Sequence, residues 1–268
     1  MPNSTLPEHV VITEALRELD EQLPPLSAEE KPVELNIVGG YALIIREVRP
    51  NAAELTDIDY IGSDLPPEWR AAIDRIGMAR GLGRGWVNND VQLSGASLED
   101  MEMATGPLEF EPYDANLSHF TVNIATEATL LRMKLIAIDT SLTAVQHGGD
   151  FTRARDFEDL PRFEARQPGA VRRMVAELEE DALLLDSDNT RQAASLASRG
   201  VPASNILSQL GLSADDDNRP SVTNSSPTRD SRTYPPSETA LRRRAKNMLK
   251  NAQSVDDADF DTEPDDYY

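Results

Sequence analysis

Apolar residues recur at helical spacing over residues 8–23, where Val11, Ala15, Leu16, Leu19 and Leu23 share one side, so the period predicts an amphipathic helix. Pro24 and Pro25 end it, because proline brings no N–H to the helical ladder. Glu34-Leu35-Asn36-Ile37-Val38 reads as a short buried strand closed by Gly39-Gly40, and Tyr41 to Arg46 reads as the first turns of a helix. Asp57-Ile58-Asp59-Tyr60-Ile61 alternates polar and apolar positions, as a strand with one wet face does. After Pro66-Pro67 the segment 68–82 is helical, and 108–113 and 120–125 read as two further strands. Thr126-Glu127 caps a helix over 128–139, and residues 169–186 predict another with Val171, Met174, Val175, Leu178 and Leu185 inside. That order predicts an α/β (α+β) fold: a small mixed sheet with helices packed on it, followed by a helical subdomain.

The apolar period stops near Leu210-Gly211. Residues 213–236 are rich in Ser, Asp, Asn, Thr and Pro, a composition that cannot bury enough apolar surface to offset its ordering entropy. The expected organisation is a core over 1–165, a helical subdomain over 166–211, a disordered linker over 212–236, and a basic helix with an acidic tail over 237–268. In the basic run, Arg242, Arg243, Arg244, Lys246 and Lys250 stand against Glu238, and Leu241, Ala245, Met248, Leu249 and Ala252 make one narrow apolar stripe. Seven acids and no base follow between Asp256 and Asp266. The two segments make either a contact element or a self-neutralising tail. Truncation after Gly211 is expected to shift the melting temperature by no more than a couple of degrees; a large loss of stability would show that the basic helix packs into the folded part.

Composition narrows the chemistry. The 268 residues carry 26 Lys and Arg against 47 Asp and Glu, a net charge of −21, so the basic excess that holds proteins on phosphate backbones or anionic membranes is missing. The chain has no cysteine, which excludes disulfides, thiolate zinc sites and cysteine nucleophiles. No stretch approaches the roughly 18 consecutive apolar residues of a membrane span, and the first residues lack the cationic and apolar regions of a secretory signal. A cytoplasmic protein without membrane contact is the expectation. His9, His119 and His147 match no metal spacing.

The informative stretch is Val38-Gly39-Gly40-Tyr41-Ala42-Leu43, followed after a loop by Thr56-Asp57-Ile58-Asp59-Tyr60. Two glycines between a strand and a helix let backbone N–H groups approach a phosphate closely. Two acids at i and i+2 on a strand project from one face, so both carboxylates can hold one hard cation. A divalent ion shared between carboxylates and a triphosphate suits phosphoryl and nucleotidyl transfer. Each half alone is weak, since Gly-Gly is often a tight turn and Asp-x-Asp a solvated strand face; order and separation make the pair more specific.

This pattern resembles the nucleotidyltransferase superfamily related to DNA polymerase beta, whose signature is Gly-Gly or Gly-Ser followed by Asp-x-Asp. Downstream, Thr129-Leu130-Leu131-Arg132-Met133-Lys134-Leu135 and then Arg153-Ala154-Arg155-Asp156-Phe157-Glu158-Asp159-Leu160 resemble the corresponding segments of the AbiEii-type families, which include abortive-infection and toxin–antitoxin nucleotidyltransferases. Trp86-Val87-Asn88 resembles a Trp-Leu-Asn element found between these motifs. The similarity spans residues 34 to about 165. It implies a minimal nucleotidyltransferase core with a C-terminal helical subdomain, and Mg2+ as cofactor. Gly39 and Gly40 would face the triphosphate, Asp57 and Asp59 would ligate magnesium, and Lys134 would contact phosphate. Asp156 would complete the site as ligand, base or orienting acid, and these residues would converge on one cleft. Arg46 would either reach the nucleotide or pair with Asp57 or Asp59. The alternatives are a surface role for Lys134 and ion pairs from Asp156 and Asp159 to Arg153 and Arg155. Two residues depart from the pattern: Gly40 stands where many members have serine, and Asn123 is the only candidate on strand 120–124 for a third carboxylate.

The leading expectation is therefore a magnesium-dependent enzyme moving a nucleoside monophosphate from an NTP to a tRNA or protein acceptor, as the toxin of a toxin–antitoxin or phage-defence system with a cognate antitoxin. Residues 1–168 hold 14 basic and 29 acidic residues, a net of −15, which favours a protein or small-molecule acceptor, or a tRNA held on a local patch. The alternative is a catalytically degenerate member of the fold that binds nucleotide or a protein partner.

Overall fold

The computed structural model describes residues 8–50, 57–89, 98–113, 116–146 and 153–212. Apart from Leu212, the linker, the basic run and the acidic tail expected from the sequence lie outside the described residues. Nine α-helices and five strands are found among those described: α1 (Glu8–Gln22), β1 (Val33–Val38), α2 (Gly39–Ile45), β2 (Ile58–Ile61), α3 (Arg70–Arg80), β3 (Val87–Asn88), α4 (Leu98–Thr105), β4 (Phe110–Pro112), β5 (Phe120–Ala125), α5 (Glu127–Gln146), α6 (Ala154–Arg166), α7 (Ala170–Glu180), α8 (Ser187–Ala197) and α9 (Ala203–Gln209). The class is α+β, built on one mixed sheet in the order β3-β2-β1-β5-β4.

The centre of the sheet is β1, antiparallel to β2 and parallel to β5, while β3 runs parallel to β2 and β4 antiparallel to β5. Residues opposite each other across a ladder share a face, so the registers sort the side chains. Leu35, Ile37, Ile58, Tyr60, Val122 and Ile124 fall on one face and are all buried. The other face carries Glu34, Asn36, Asp59 and Asn123. In addition, α1 packs on α3, α2 lies against β1 and β2, and helices α5 to α9 pack on one another.

Several expected elements differ in extent. The helix expected over 169–186 stops at Glu180, where Ala182 takes a left-handed φ of 53° and the Leu183 N–H returns to the Leu178 carbonyl. Leu185, expected inside that helix, is only half-buried beyond its end. The helix expected over 128–139 runs on to Gln146. Gly39 and Gly40, expected as a turn between strand and helix, form the first two residues of α2, so strand passes straight into helix. His119 has a structural role: its ring nitrogens face the Asp20 carboxylate at 3.1 Å and the Pro24 carbonyl at 2.8 Å.

Two arginines fix the far end of α2. Arg46 donates to the carbonyls of Ala125 (2.9 Å) and Ile124 (2.8 Å) and to Glu111 (2.6 Å), tying the helix to the end of β5. Arg49 stays fastened to α2 through its own N–H, which reaches the Leu43 carbonyl at 3.1 Å. Between them Glu47 holds a left-handed φ of 57°, a region that disfavours every side chain with a Cβ. Glu47→Gly relieves a left-handed penalty of about 1–2 kcal/mol at an entropy cost of about 0.5–1 kcal/mol, so a net stabilisation of about 0.5–1 kcal/mol is expected in urea unfolding. A loss of stability would mean that the glutamate side chain contributes more than the backbone strain costs.

Candidate functional site

The glycine segment and the acidic strand meet at the end of β1. Val38 is the register partner of Asp59, so the first residue after the strand lies against that aspartate. A Cβ built on Gly39 would come within 2.4 Å of Asp59 Oδ2, and Gly39 has a φ of 69°. Only glycine satisfies both the approach and the backbone angle. Asp57 immediately precedes β2, whose entry is set by the Ile58 N–H on the Trp86 carbonyl at 2.6 Å. Strand alternation puts Asp57 on the same side as Asp59, and both are half-buried. Gly40 follows in the first turn of α2.

We expect Gly39→Ala to cost at least about 1 kcal/mol of stability, the usual penalty of a left-handed residue, and to displace the Asp59 carboxylate. Thermal melting reads the first effect, and the carboxylate chemical shift of Asp59 reads the second. A variant that melts like the parent with the Asp59 signal unmoved would show that the contact with Asp59 has no consequence.

The strand order corrects the search for a third group. Asn123, the residue the sequence offered, lies on β5, separated from β2 by β1. Two strand spacings amount to about 9.6 Å, too far for one ion to be shared with Asp59. The Asn123 amide instead donates to Glu34 and to Asn36, each at 2.9 Å. The residue paired with Asp59 on its other side is Asn88, on β3. Position 88 was visible in the Trp86-Val87-Asn88 element, but its adjacency to Asp59 depends on a two-residue strand that shows no period.

A second group of charges lies among the helices. Lys134 on α5 is ion-paired with Asp156 on α6 and lies 3.5 Å from Asp159. Asp159 is fully buried. Arg49 grips it with two bonds, Nε to Oδ1 at 3.1 Å and Nη2 to Oδ2 at 2.5 Å, and Arg162 donates to Oδ1 at 2.8 Å. Burial works against the Arg49 charge, yet the Asp159 carboxylate more than offsets it and holds the guanidinium above its ordinary pKa. Asp156 and Asp159 thus pair with Lys134, Arg49 and Arg162, where the sequence had offered Arg153 and Arg155. Arg49 and Arg162 were missed by motif reasoning, since neither stands in a recognisable pattern.

The expected site residues accordingly fall into two sets: Gly39, Gly40, Asp57 and Asp59 at the sheet end, and Lys134 with Asp156 between α5 and α6. The bonds of Arg46 give it a structural role, with β5 and Glu111 as its partners. A groove of about 250 Å³ between α5, α6 and α7 is lined by Leu131, Phe163, Ala170 and Met174 among others and contains none of these residues.

Among the described residues no group of three or more His, Asp or Glu side chains is gathered closely enough to hold a metal ion. Asp57, just before β2, and Asp59, within it, place two carboxylates on one side of the chain, and one or two carboxylates are what a protein usually contributes to a magnesium ion whose other ligands are phosphate oxygens and water. No described helix is long and apolar enough to cross a membrane. Compared with known proteins, the chain matches no family model, no curated protein and no solved structure.

Proposed function

We propose that this protein is a magnesium-dependent nucleotidyltransferase of the AbiEii-like kind, transferring a nucleoside monophosphate from an NTP to a tRNA or protein acceptor. The observation that carries the reading is the contact of Gly39 with the Asp59 carboxylate, which joins the two halves of the motif in space. A magnesium ion held by Asp57, Asp59 and the triphosphate would offset the negative charge that shifts onto the leaving phosphates. Gly39 and Gly40 leave room for those phosphates beside the start of α2. Lys134 supplies a point charge to them, and Asp156, which holds the Lys134 amine, fits the orienting role among the three open to it.

In the reaction an acceptor hydroxyl oxygen attacks the α-phosphorus. The new O–P bond forms as the bond from the α-phosphorus to the bridging oxygen breaks, pyrophosphate departs, and the hydroxyl proton passes to a carboxylate of the site. The acidic balance of residues 1–168 favours an acceptor that does not need a broad basic groove. Within this reading the protein works in the cytoplasm as a toxin restrained by an antitoxin.

A second reading rests on Asn88. A neutral amide stands beside Asp59 in the sheet, where a carboxylate would have strengthened metal binding, and this favours a degenerate member that binds nucleotide or a protein partner without turnover. Calorimetric titration with an α,β-methylene NTP tests the shared premise. Binding that requires magnesium and weakens at least about tenfold, or about 1.4 kcal/mol, in Asp57→Ala is expected. Binding indifferent to magnesium and to that substitution would contradict both readings.

A further inference from the structure

The pairs around Asp159 link residues far apart in the chain. Arg49 and Asp159 are 110 positions apart, and the guanidinium meets the carboxylate through a two-bond fork, a geometry that fixes orientation as well as distance. Asp159 is fully buried, whereas Arg49 and Lys134 keep 18% and 16% of their side-chain surface exposed. The carboxylate therefore anchors groups that themselves reach solvent. Three cations (Arg49, Lys134, Arg162) meet the paired anions Asp156 and Asp159, and Glu158 also acts on the Arg49 charge, so the cluster is close to neutral and its geometry, not its net charge, sets it apart.

The link runs into the glycine segment. Helix α2 has seven residues, so at 1.5 Å per residue it is a strut about 10 Å long, with Tyr41, Ala42, Leu43 and Ile44 buried along it. Its first residue, Gly39, lies against Asp59. Its last turn carries Arg49 through the Leu43 carbonyl. On α6, Asp156 and Asp159 are three residues apart and hence on one face, the first holding Lys134 and the second holding Arg49.

We propose that the Arg49–Asp159 pair is the joint that sets the Lys134–Asp156 pair in position relative to the Gly39–Gly40 segment, making Arg49 and Asp159 positioning residues of the site. This inference rests on the nucleotidyltransferase reading for its catalytic consequence, but the joint itself is a property of the protein without substrate.

Arg49→Met removes the fork and leaves Asp159 with Arg162 and Lys134, so the carboxylate is not stranded. Arg49→Lys keeps the charge and loses the fork. Hydrogen exchange on the full chain without nucleotide is the first readout. In Arg49→Met the hydrogen-bonded amides of residues 43–46 and of 158–160 and 162–163 are expected to exchange roughly tenfold faster together, with β5 unchanged and Arg49→Lys intermediate. Acceleration confined to α6, with α2 protected as in the parent, would overturn the joint. The second readout is label transfer from NTP under conditions where each variant is folded. Misplacement of an oriented charge is expected to lower kcat by about 10–100-fold with KM near the parent value; an unchanged kcat would overturn the catalytic consequence. A parent protein that transfers no label would remove the nucleotidyltransferase reading, and the exchange experiment would then decide the joint by itself.

Discussion

Asp59→Asn is expected to abolish magnesium-dependent transfer, lowering turnover by roughly 10³-fold, while the protein stays folded. The substitution keeps the shape of the side chain, including an atom where Oδ2 meets Gly39, and removes only the charge. A metal ion clamped on transferring phosphates contributes several kcal/mol of charge stabilisation, and each 1.36 kcal/mol is a factor of ten in rate. Stability should change little, because Asp59 is only half-buried, its backbone pairing in β2 is kept, and no hydrophobic contact is lost. Circular dichroism melting alongside the transfer assay separates the two effects. Unfolding in place of inactivity would make the Asp57–Asp59 pair structural.

Asp159→Ala should fail in the opposite way. This side chain is fully buried and accepts from two arginines with a lysine close by, so its removal takes from Arg49 and Arg162 the carboxylate that they both hydrogen-bond. Breaking a buried pair by deleting one side costs about 3–5 kcal/mol. In a folded unit of this size that corresponds to a fall in melting temperature of about 6–20 °C. Asp156→Ala, which loses the Lys134 pair and a weaker electrostatic effect on Arg49, should be milder in stability and more severe in transfer. Urea unfolding of both variants tests the contrast, and a cost below about 1 kcal/mol for Asp159→Ala would show that solvent reaches the cluster and replaces the carboxylate.

These expectations draw unequally on what periodicity reveals. Helix α1, strands β1, β2 and β5 and the start of α5 were legible, because a buried stripe or an alternation repeats in each over at least four residues. Strand β3 has only Val87 and Asn88, too short for any period, and with it went the neighbour of Asp59. Helix α6 was disguised by Pro161, which lies inside it and normally marks an end. Helix α8 buries Thr190, Ala193, Ala194 and Ala197, small residues with little contrast to their polar neighbours. The C-terminus of α7 was overrun because a non-glycine residue, Ala182, adopts the left-handed angle that usually announces itself as glycine. Gly39 and Asp59 were legible as a motif, and the pairing of β1 with β2 brings them into contact. The Arg49–Asp159 contact spans 110 positions and follows from how the helices pack, which local patterns do not encode.

If the α-phosphoryl group of an NTP, with its nucleoside, is what moves to the acceptor, the position of the label decides it. The full chain and magnesium are incubated with NTP labelled at the α- or the γ-phosphate, in the presence of tRNA or of protein extract. The expected result is α-label in acid-insoluble acceptor, γ-label released as pyrophosphate, and neither in Asp59→Asn. Label entering the acceptor from the γ-phosphate, or α-label transfer that survives Asp59→Asn, would overturn the nucleotidyltransferase reading.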